Sequence, residues 1–198
     1  WPETFGFREF WIEGRQVFLN GRPFHIRAFD FTLPSSSGGR SSREACEWAL
    51  RRYRDLGMNF AYLSTYNLDW GQLRYFDGVM QAADSLGYAL SVCMPHPRDI
   101  AQTYQDRNKR AYWERMARWV SRRAANHPSV IMYAMSHNWL GHEGDQNPAF
   151  LDASFADDDP SLGEGRLKAR EAARWAEQFV GQLDPTRPVY HHQCDLAP

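Results

Sequence analysis

The sequence predicts an α/β fold built on a parallel sheet, and three observations carry that prediction. Short apolar runs recur at 59–64, 88–94, 130–135 and 189–193, each about as long as a strand buried on both faces. Between them lie longer stretches with apolar residues at helical spacing. The links from each helix back to the next strand are short, as in units whose helices cover a parallel sheet. With residues 24–31 as a first strand, the order becomes β-α-β-α-β-α-β-α-β.

Each element has its own local warrant. Residues 5–10 and Val17-Phe18-Leu19 read as strands of a lead-in, and Asn20-Gly21 is a tight-turn signal. Residues 34–39, rich in serine and glycine, read as loop. Ser41 with Glu44 three residues on forms a capping-box pattern. Ala45, Trp48, Ala49 and Leu56 then mark the inward face of a helix that Gly57 stops. Asp69 is the expected cap of a second helix with Leu73, Phe76, Met80 and Ala83 inward, closed by Gly87. Pro95 ends the strand that follows. Asp106 opens a third helix carrying Trp113, Met116, Val120 and Ala124. Residues 139–165 read as a long acidic loop holding Glu143, Asp145, Asp152 and Asp157-Asp158-Asp159. A fourth helix, 166–183, turns Ala172, Ala176, Phe179 and Leu183 inward.

Two architectures accommodate this order: a doubly wound sheet and a (β/α)₈ TIM barrel. No Gly-x-Gly-x-x-Gly follows any strand, which weighs against a dinucleotide-binding sheet. A barrel takes roughly 250 residues. Five strands in 198 residues therefore predict an incomplete barrel, with about three strand–helix units lying outside the chain. The expected organisation is a lead-in at 1–23 and the N-terminal part of a barrel at 24–198. Open sheet edges in such a partial barrel predict poor stability or association when it is expressed alone.

Composition narrows the function. The net charge of −1 gives no electrostatic case for nucleic acid or an anionic membrane as partner. No apolar run is long enough to span a bilayer. Three cysteines, Cys46, Cys93 and Cys194, form neither a disulfide framework nor a zinc spacing, and the first two fall in apolar stretches as expected buried thiols. Aromatic residues make up 15% of the chain, which suits either core packing or the flat platforms of sugar clefts.

In parallel α/β architectures ligands bind at the carboxyl ends of the strands. The residues there are Asp30, Thr65-Tyr66-Asn67, His96, His137-Asn138-Trp139, His191-His192 and Asp195. The long loop is a candidate substrate cover that supplies a carboxylate. Its aspartate run lacks the alternating spacing of a calcium loop.

Several segments together resemble glycoside hydrolase family 2, the group of β-galactosidases and β-glucuronidases. The stretch from Asn20-Gly21-Arg22-Pro23 to Ala28 is similar to the lead into that family's first barrel strand. Phe5-Gly6-Phe7-Arg8 is similar to the last strand of the immunoglobulin-like domain before it, so the lead-in at 1–23 would be the end of a β-sandwich domain. Arg54-Asp55-Leu56-Gly57-Met58-Asn59, together with Asp77 and Asp84-Ser85-Leu86-Gly87, resembles the endings of its first two helices. Asn126-His127-Pro128-Ser129-Val130-Ile131 resembles the approach to its fourth strand, which ends in Asn-Glu.

The departures from the pattern fall where the chemistry would be. Counting from His127-Pro128-Ser129-Val130, the family's catalytic glutamate falls on Asn138 and the asparagine before it on His137. An arginine usual in the second strand falls on Tyr62, and the region after the third strand reads Met94-Pro95-His96-Pro97. The family's nucleophile comes from the seventh strand, beyond Pro198. Retaining glycosidases need two carboxyl groups about 5–5.5 Å apart, and an amide at 138 cannot give up and recover a proton as a carboxylic acid does. Glu143 in the long loop, or His137 or His96, are the candidates to replace it; a donor from the part of the barrel outside this chain, or none at this position, are the other readings. Asp30, His96, Trp139 and Tyr66 are the expected substrate contacts, Asp30 by accepting bonds from sugar hydroxyls and Trp139 by stacking.

What the resemblance implies is hydrolysis of O-glycosidic bonds in carbohydrates, a carbohydrate as partner, no cofactor and no resident metal, and an oligomer in the full-length protein. Members of the family are often exported or act on imported sugars, so a periplasmic or secreted location is the implied one. Two other readings stay open. A carbohydrate-binding protein would keep the fold without the chemistry. A metal-dependent barrel hydrolase would use His96, His137, His191, His192 and Asp195 as ligands.

Overall fold

The computed structural model describes residues 6–31, 42–63, 72–95, 97, 99–135 and 163–191. It is an α/β fold with two sheets. Strands β1 (Phe10–Glu13), β2 (Gln16–Leu19) and β3 (Arg22–Pro23) form a small antiparallel sheet. Strands β4 (Ala28–Asp30), β5 (Phe60–Leu63), β6 (Ala89–Cys93), β7 (Val130–Met135) and β8 (Val189–His191) form a parallel sheet in the order β4-β5-β6-β7-β8. Because spatial order follows chain order, the described strands contain no switch point of the doubly wound kind.

Among the described residues five helices connect these strands: α1 (Arg43–Asp55), α2 (Gln72–Leu86), α3 (Ile100–Gln105), α4 (Arg107–Ala124) and α5 (Gly163–Leu183). Their starts are set by side-chain caps. The Ser42 hydroxyl accepts from Ala45 N at 3.2 Å, Asp99 from Gln102 N at 2.9 Å, and Asp106 from Asn108 N and Lys109 N at 2.8 and 3.1 Å. Each satisfies a donor the first helical turn leaves open. At Gly57 and Gly87 the chain leaves α1 and α2 with φ of +86° and +63°, a left-handed turn that glycine makes without a Cβ penalty.

The sheet's two faces divide the core. Alternate residues Ala61, Leu63, Leu90, Val92, Tyr133 and Met135 pack under the helices with Leu50, Phe76, Met80, Trp113, Val120 and Ala176. The opposite face carries Phe60, Ala89, Ile131 and Met132, and there Phe10 and Leu19 of the lead-in, with Phe24 and Ile26 just before β4, pack against it. A register shift between Leu90 and Ser91 adjusts the pairing of β6 with β7.

The lead-in and first helix differ from the sequence expectation. Residues 6–9 pair with no strand, and β1 begins only at Phe10. Arg8 is held elsewhere, its Nε donating to Val130 O at 2.9 Å. A Cβ on Gly6 would lie 2.6 Å from Pro128, so the start of this segment docks onto the turn before β7, while Glu9 exchanges bonds with Asn20 at 2.9 and 3.0 Å. The cap of α1 is Ser42, one residue past the expected position. The buried face of α1 is Cys46, Ala49 and Leu50, whereas Trp48 is 64% and Leu56 75% exposed. Small residues at 46 and 49 let the helix approach the sheet closely, and the Arg52 guanidinium lies over the outward Trp48 ring, 5.5 Å from its centroid.

Elsewhere the expectations hold with small shifts. Cys46 and Cys93 are buried free thiols, and burial pushes the Cys46 thiol up to about 11. The helix before β8 starts at Gly163, inside what reads as loop, and α3 is an element the periodicity missed. Asp69, Leu73's side chain and Cys194 lie outside the described residues.

Candidate functional site at the carboxyl ends of the strands

The parallel sheet brings the carboxyl ends of β4 to β8 to one side, where α/β folds bind ligands. Strand alternation decides which side chains face away from the helices. Asp30 is opposite Tyr62, and Tyr62 is opposite Ser91. One step further along, Cys93 is opposite Ala134, and Ala134 is opposite Tyr190. Tyr62, Cys93 and Ala134 form a buried cluster against which Tyr190 packs.

A polar pair sits among them. The Ser91 hydroxyl and the Tyr190 phenol lie 2.9 Å apart, joining β6 to β8 across β7. Tyr190 is opposite Ala134, whose small side chain leaves room for the tyrosine ring. Burial pushes the Tyr190 hydroxyl up to about 12, with the bond to Ser91 opposing the shift. It is therefore a neutral phenol at ordinary pH, able both to donate and to accept. Ser91 is fully buried, so its hydroxyl needs this partner.

Asp30 is where the sequence places it, at the end of β4, and its residue is exposed. Tyr66, His96, His137, Asn138, Trp139 and Glu143 lie outside the described residues, as do His192 and Asp195. His191 is described, and it is turned toward α5: its Nε2 lies 3.1 Å from Glu177 Oε2. That orientation takes it away from the face carrying Ser91 and Tyr190. Among the described residues no cluster of His, Cys, Asp or Glu has the makings of a metal site. No described helix is long and apolar enough to cross a membrane.

Ser91 and Tyr190 were missed by inspecting only the residues that follow each strand. The signal that finds them is alternation within the strands: in Ala89–Cys93 and Val189–His191 the polar hydroxyls fall on the face opposite the helix-packed Val92 and Val189.

Beneath the strands, at their amino ends, a second polar network holds the fold. The Arg187 guanidinium is buried and donates to Val130 O at 2.9 Å, Ala124 O at 3.1 Å and Ala125 and His127 O at 3.2 Å, and pairs with Asp184 at 2.5 Å. Asp184 also accepts from Tyr133 OH at 2.9 Å and from Thr186 N at 3.0 Å. Burial raises its pKa, but the bonds from Thr186 and the charge of Arg187 outweigh that and hold the carboxyl below its ordinary value. Asp84 joins the next turn, accepting from Ser129 N at 3.0 Å and lying 2.6 Å from His127 Nδ1. These groups lock the turn that launches β7, the strand whose far end leads to position 138.

Comparison with known proteins fits this arrangement. No family model matches the chain. A β-glucuronidase from Streptococcus agalactiae is 25% identical over 165 residues, covering 76% of this chain and 26% of that protein. The chain thus spans about a quarter of the curated relative it matches. The β-glucuronidase of Parabacteroides merdae shares its fold at a TM-score of 0.68, with 19% identity over 98% of this chain and 21% of the other. A β-glucuronidase of Bacteroides uniformis gives 0.66, at 20% identity over 94% and 20%. The family 2 β-galacturonidase of Eisenbergiella tayi, bound to galacturonate, gives 0.61, at 20% identity over 94% and 28%. In sequence and in backbone the chain is similar to glycoside hydrolase family 2 enzymes.

Proposed function

We propose that this chain is part of a glycoside hydrolase that cleaves β-linked uronides, with its five parallel strands forming the first part of a (β/α)₈ barrel. The observation that carries the reading is the match to a β-glucuronidase over 165 residues. The singly wound strand order supports the barrel, and the lead-in fits the end of a preceding β-sandwich domain. The substrate would lie over the carboxyl ends of the strands. Asp30 would accept bonds from sugar hydroxyls, and the Ser91–Tyr190 pair would form a rigid polar floor beneath it. Tyr66, His96 and Trp139 complete the proposed contacts.

Asn138 stands where the resemblance puts the acid/base glutamate, so proton transfer must come from another group. Glu143 is the first choice because it follows the same strand, and His137 is the second. General acid/base help is worth roughly 10²–10⁴-fold in rate. The same Asn138 favours one other reading, a carbohydrate-binding protein that kept the fold and lost the reaction.

Assay of the full-length protein against aryl β-D-glucuronides, galacturonides and neutral aryl glycosides decides between the two. Turnover of a uronide, abolished by Glu143→Gln and only weakened by Asn138→Ala, supports the hydrolase. Sugar binding by calorimetry with no turnover on any member of the panel selects the binding protein.

A further inference from the structure

Helix α4 concentrates positive charge that the chain as a whole lacks. Its 18 residues hold six arginines and Lys109 against one carboxylate, Glu114, while the whole chain has a net charge of −1. Arg115, Arg118 and Arg122 follow one another at spacings of three and four, so they share a helix face, and all three are exposed. Nearby carboxylates are engaged elsewhere: Glu114 with Arg110 at 3.2 Å, Asp77 with Arg123, and Asp184 with Arg187. Arg115 lies over the Tyr112 ring and Arg118 over the Phe179 ring, 5.3 and 4.8 Å from the centroids. These cation–π contacts favour the guanidinium positions while leaving N–H donors for oxyanions.

This stripe runs into a cleft of roughly 530 Å³ between the ends of α4 and α5, lined by Arg118, Ser121, Arg122, Gln182, Thr186 and Arg187 among others. Ser121 is 4% exposed, and its hydroxyl has no hydrogen-bond partner among the described residues. The carboxyl end of a helix ordinarily repels an anion. Here Arg187 already covers the last carbonyls of α4, and Asp184, which also lines the cleft, is saturated by Arg187, Tyr133 and Thr186.

We infer that the Arg115–Arg118–Arg122 stripe and the adjoining cleft form an exosite for an acidic glycan. Its carboxylate or sulfate groups would pair with the three arginines in turn, and one would seat in the cleft beside Ser121. The choice of a glycan over other polyanions rests on the uronide reading above. The stripe lies on α4, on the helix-covered side of the sheet, opposite the face that carries Ser91 and Tyr190.

The test is equilibrium binding by the full-length protein of a fluorescent oligogalacturonide, a sulfated glycan, a neutral oligosaccharide of equal length and a single-stranded oligonucleotide. The expected result is salt-sensitive binding of the acidic glycans, weakened about tenfold or more by Arg118→Gln with Arg122→Gln and kept by the paired lysine variant, since charge remains. Arg122→Glu alone reads the same site if the glutamine pair destabilises the fold. Turnover of a small aryl uronide should not change in these variants. Oligogalacturonide binding that ignores them overturns the exosite, as does equal binding of the neutral oligosaccharide. Tighter binding of the oligonucleotide than of either acidic glycan assigns the surface to nucleic acid and overturns the proposal. The two readings fail separately. A protein inert toward aryl uronides that still binds acidic glycan through α4 loses only the hydrolase, and an active one whose binding ignores α4 loses only the exosite.

Discussion

Asp184 carries more of the fold than its place in a turn suggests. It neutralises a buried guanidinium that ties together the end of α4, the turn at 125–127 and the start of β7. Removing one partner of a buried pair leaves the other uncompensated, at a cost of about 3–5 kcal/mol. Asp184→Ala should lower stability by that order in chemical denaturation. The same residue sets a pH dependence. Its native pKa lies below the ordinary 3.8, so its contribution is fully present above the unfolded value and is lost as pH falls through the native one. Asp184→Asn should therefore flatten the acid limb of the stability profile below about pH 4, measured as denaturation midpoint against pH. Sequence reading passed over this network because Arg187 meets its carbonyl partners across 57 to 63 positions, a separation that periodicity and local motifs do not report. Alternation places Ser91 and Tyr190 on one face, but that they bond to each other was hidden for the same reason, the two being 99 positions apart.

The strands and most helices were legible because their signals are local. The apolar runs at 59–64, 88–94 and 130–135 became β5, β6 and β7, the first two each shorter by one residue at either end. Misreadings arose where local patterns compete. In α1 both Trp48 and Leu50 suit an inward face, and packing at the sheet selects the one carrying Cys46 and Ala49, leaving tryptophan outside under Arg52. The six-residue α3 is too short for a periodic stripe, although its Asp99 cap follows the same rule as Asp106. Capping gives a discriminating test at this scale. Ser42→Ala should cost about 1 kcal/mol in thermal or chemical denaturation, whereas Ser41→Ala should leave stability nearly unchanged. The reverse ranking would return the cap to the residue the capping-box pattern selects.

Across the whole molecule the parallel sheet ends, among the described strands, at β4 on one side and β8 on the other. Such edges present unpaired backbone donors and acceptors to any other chain. The 198 residues expressed alone should accordingly associate in a concentration-dependent way by sedimentation, and a sharp monomeric unfolding transition would contradict that. The family resemblance was legible at this scale too, through the order of several weak segments and not through any one motif. The site was less so: Asp30 is the one expected contact that the described residues include, and the proposed acid/base positions, 137 to 143, come after β7 in the chain and lie outside them.

The proposed hydrolase depends on a proton donor other than position 138. The direct measurement is the dependence of turnover on leaving-group acidity, using aryl β-D-uronides on the full-length protein and its Glu143→Gln variant. Where an acid protonates the departing oxygen, poor leaving groups are helped most. With Glu143 as the acid, the dependence should be shallow in the parent and steep in Glu143→Gln, with near-parent rates for the variant only on the most acidic phenols. Equal slopes in the two proteins, or no turnover of any aryl uronide, would contradict it.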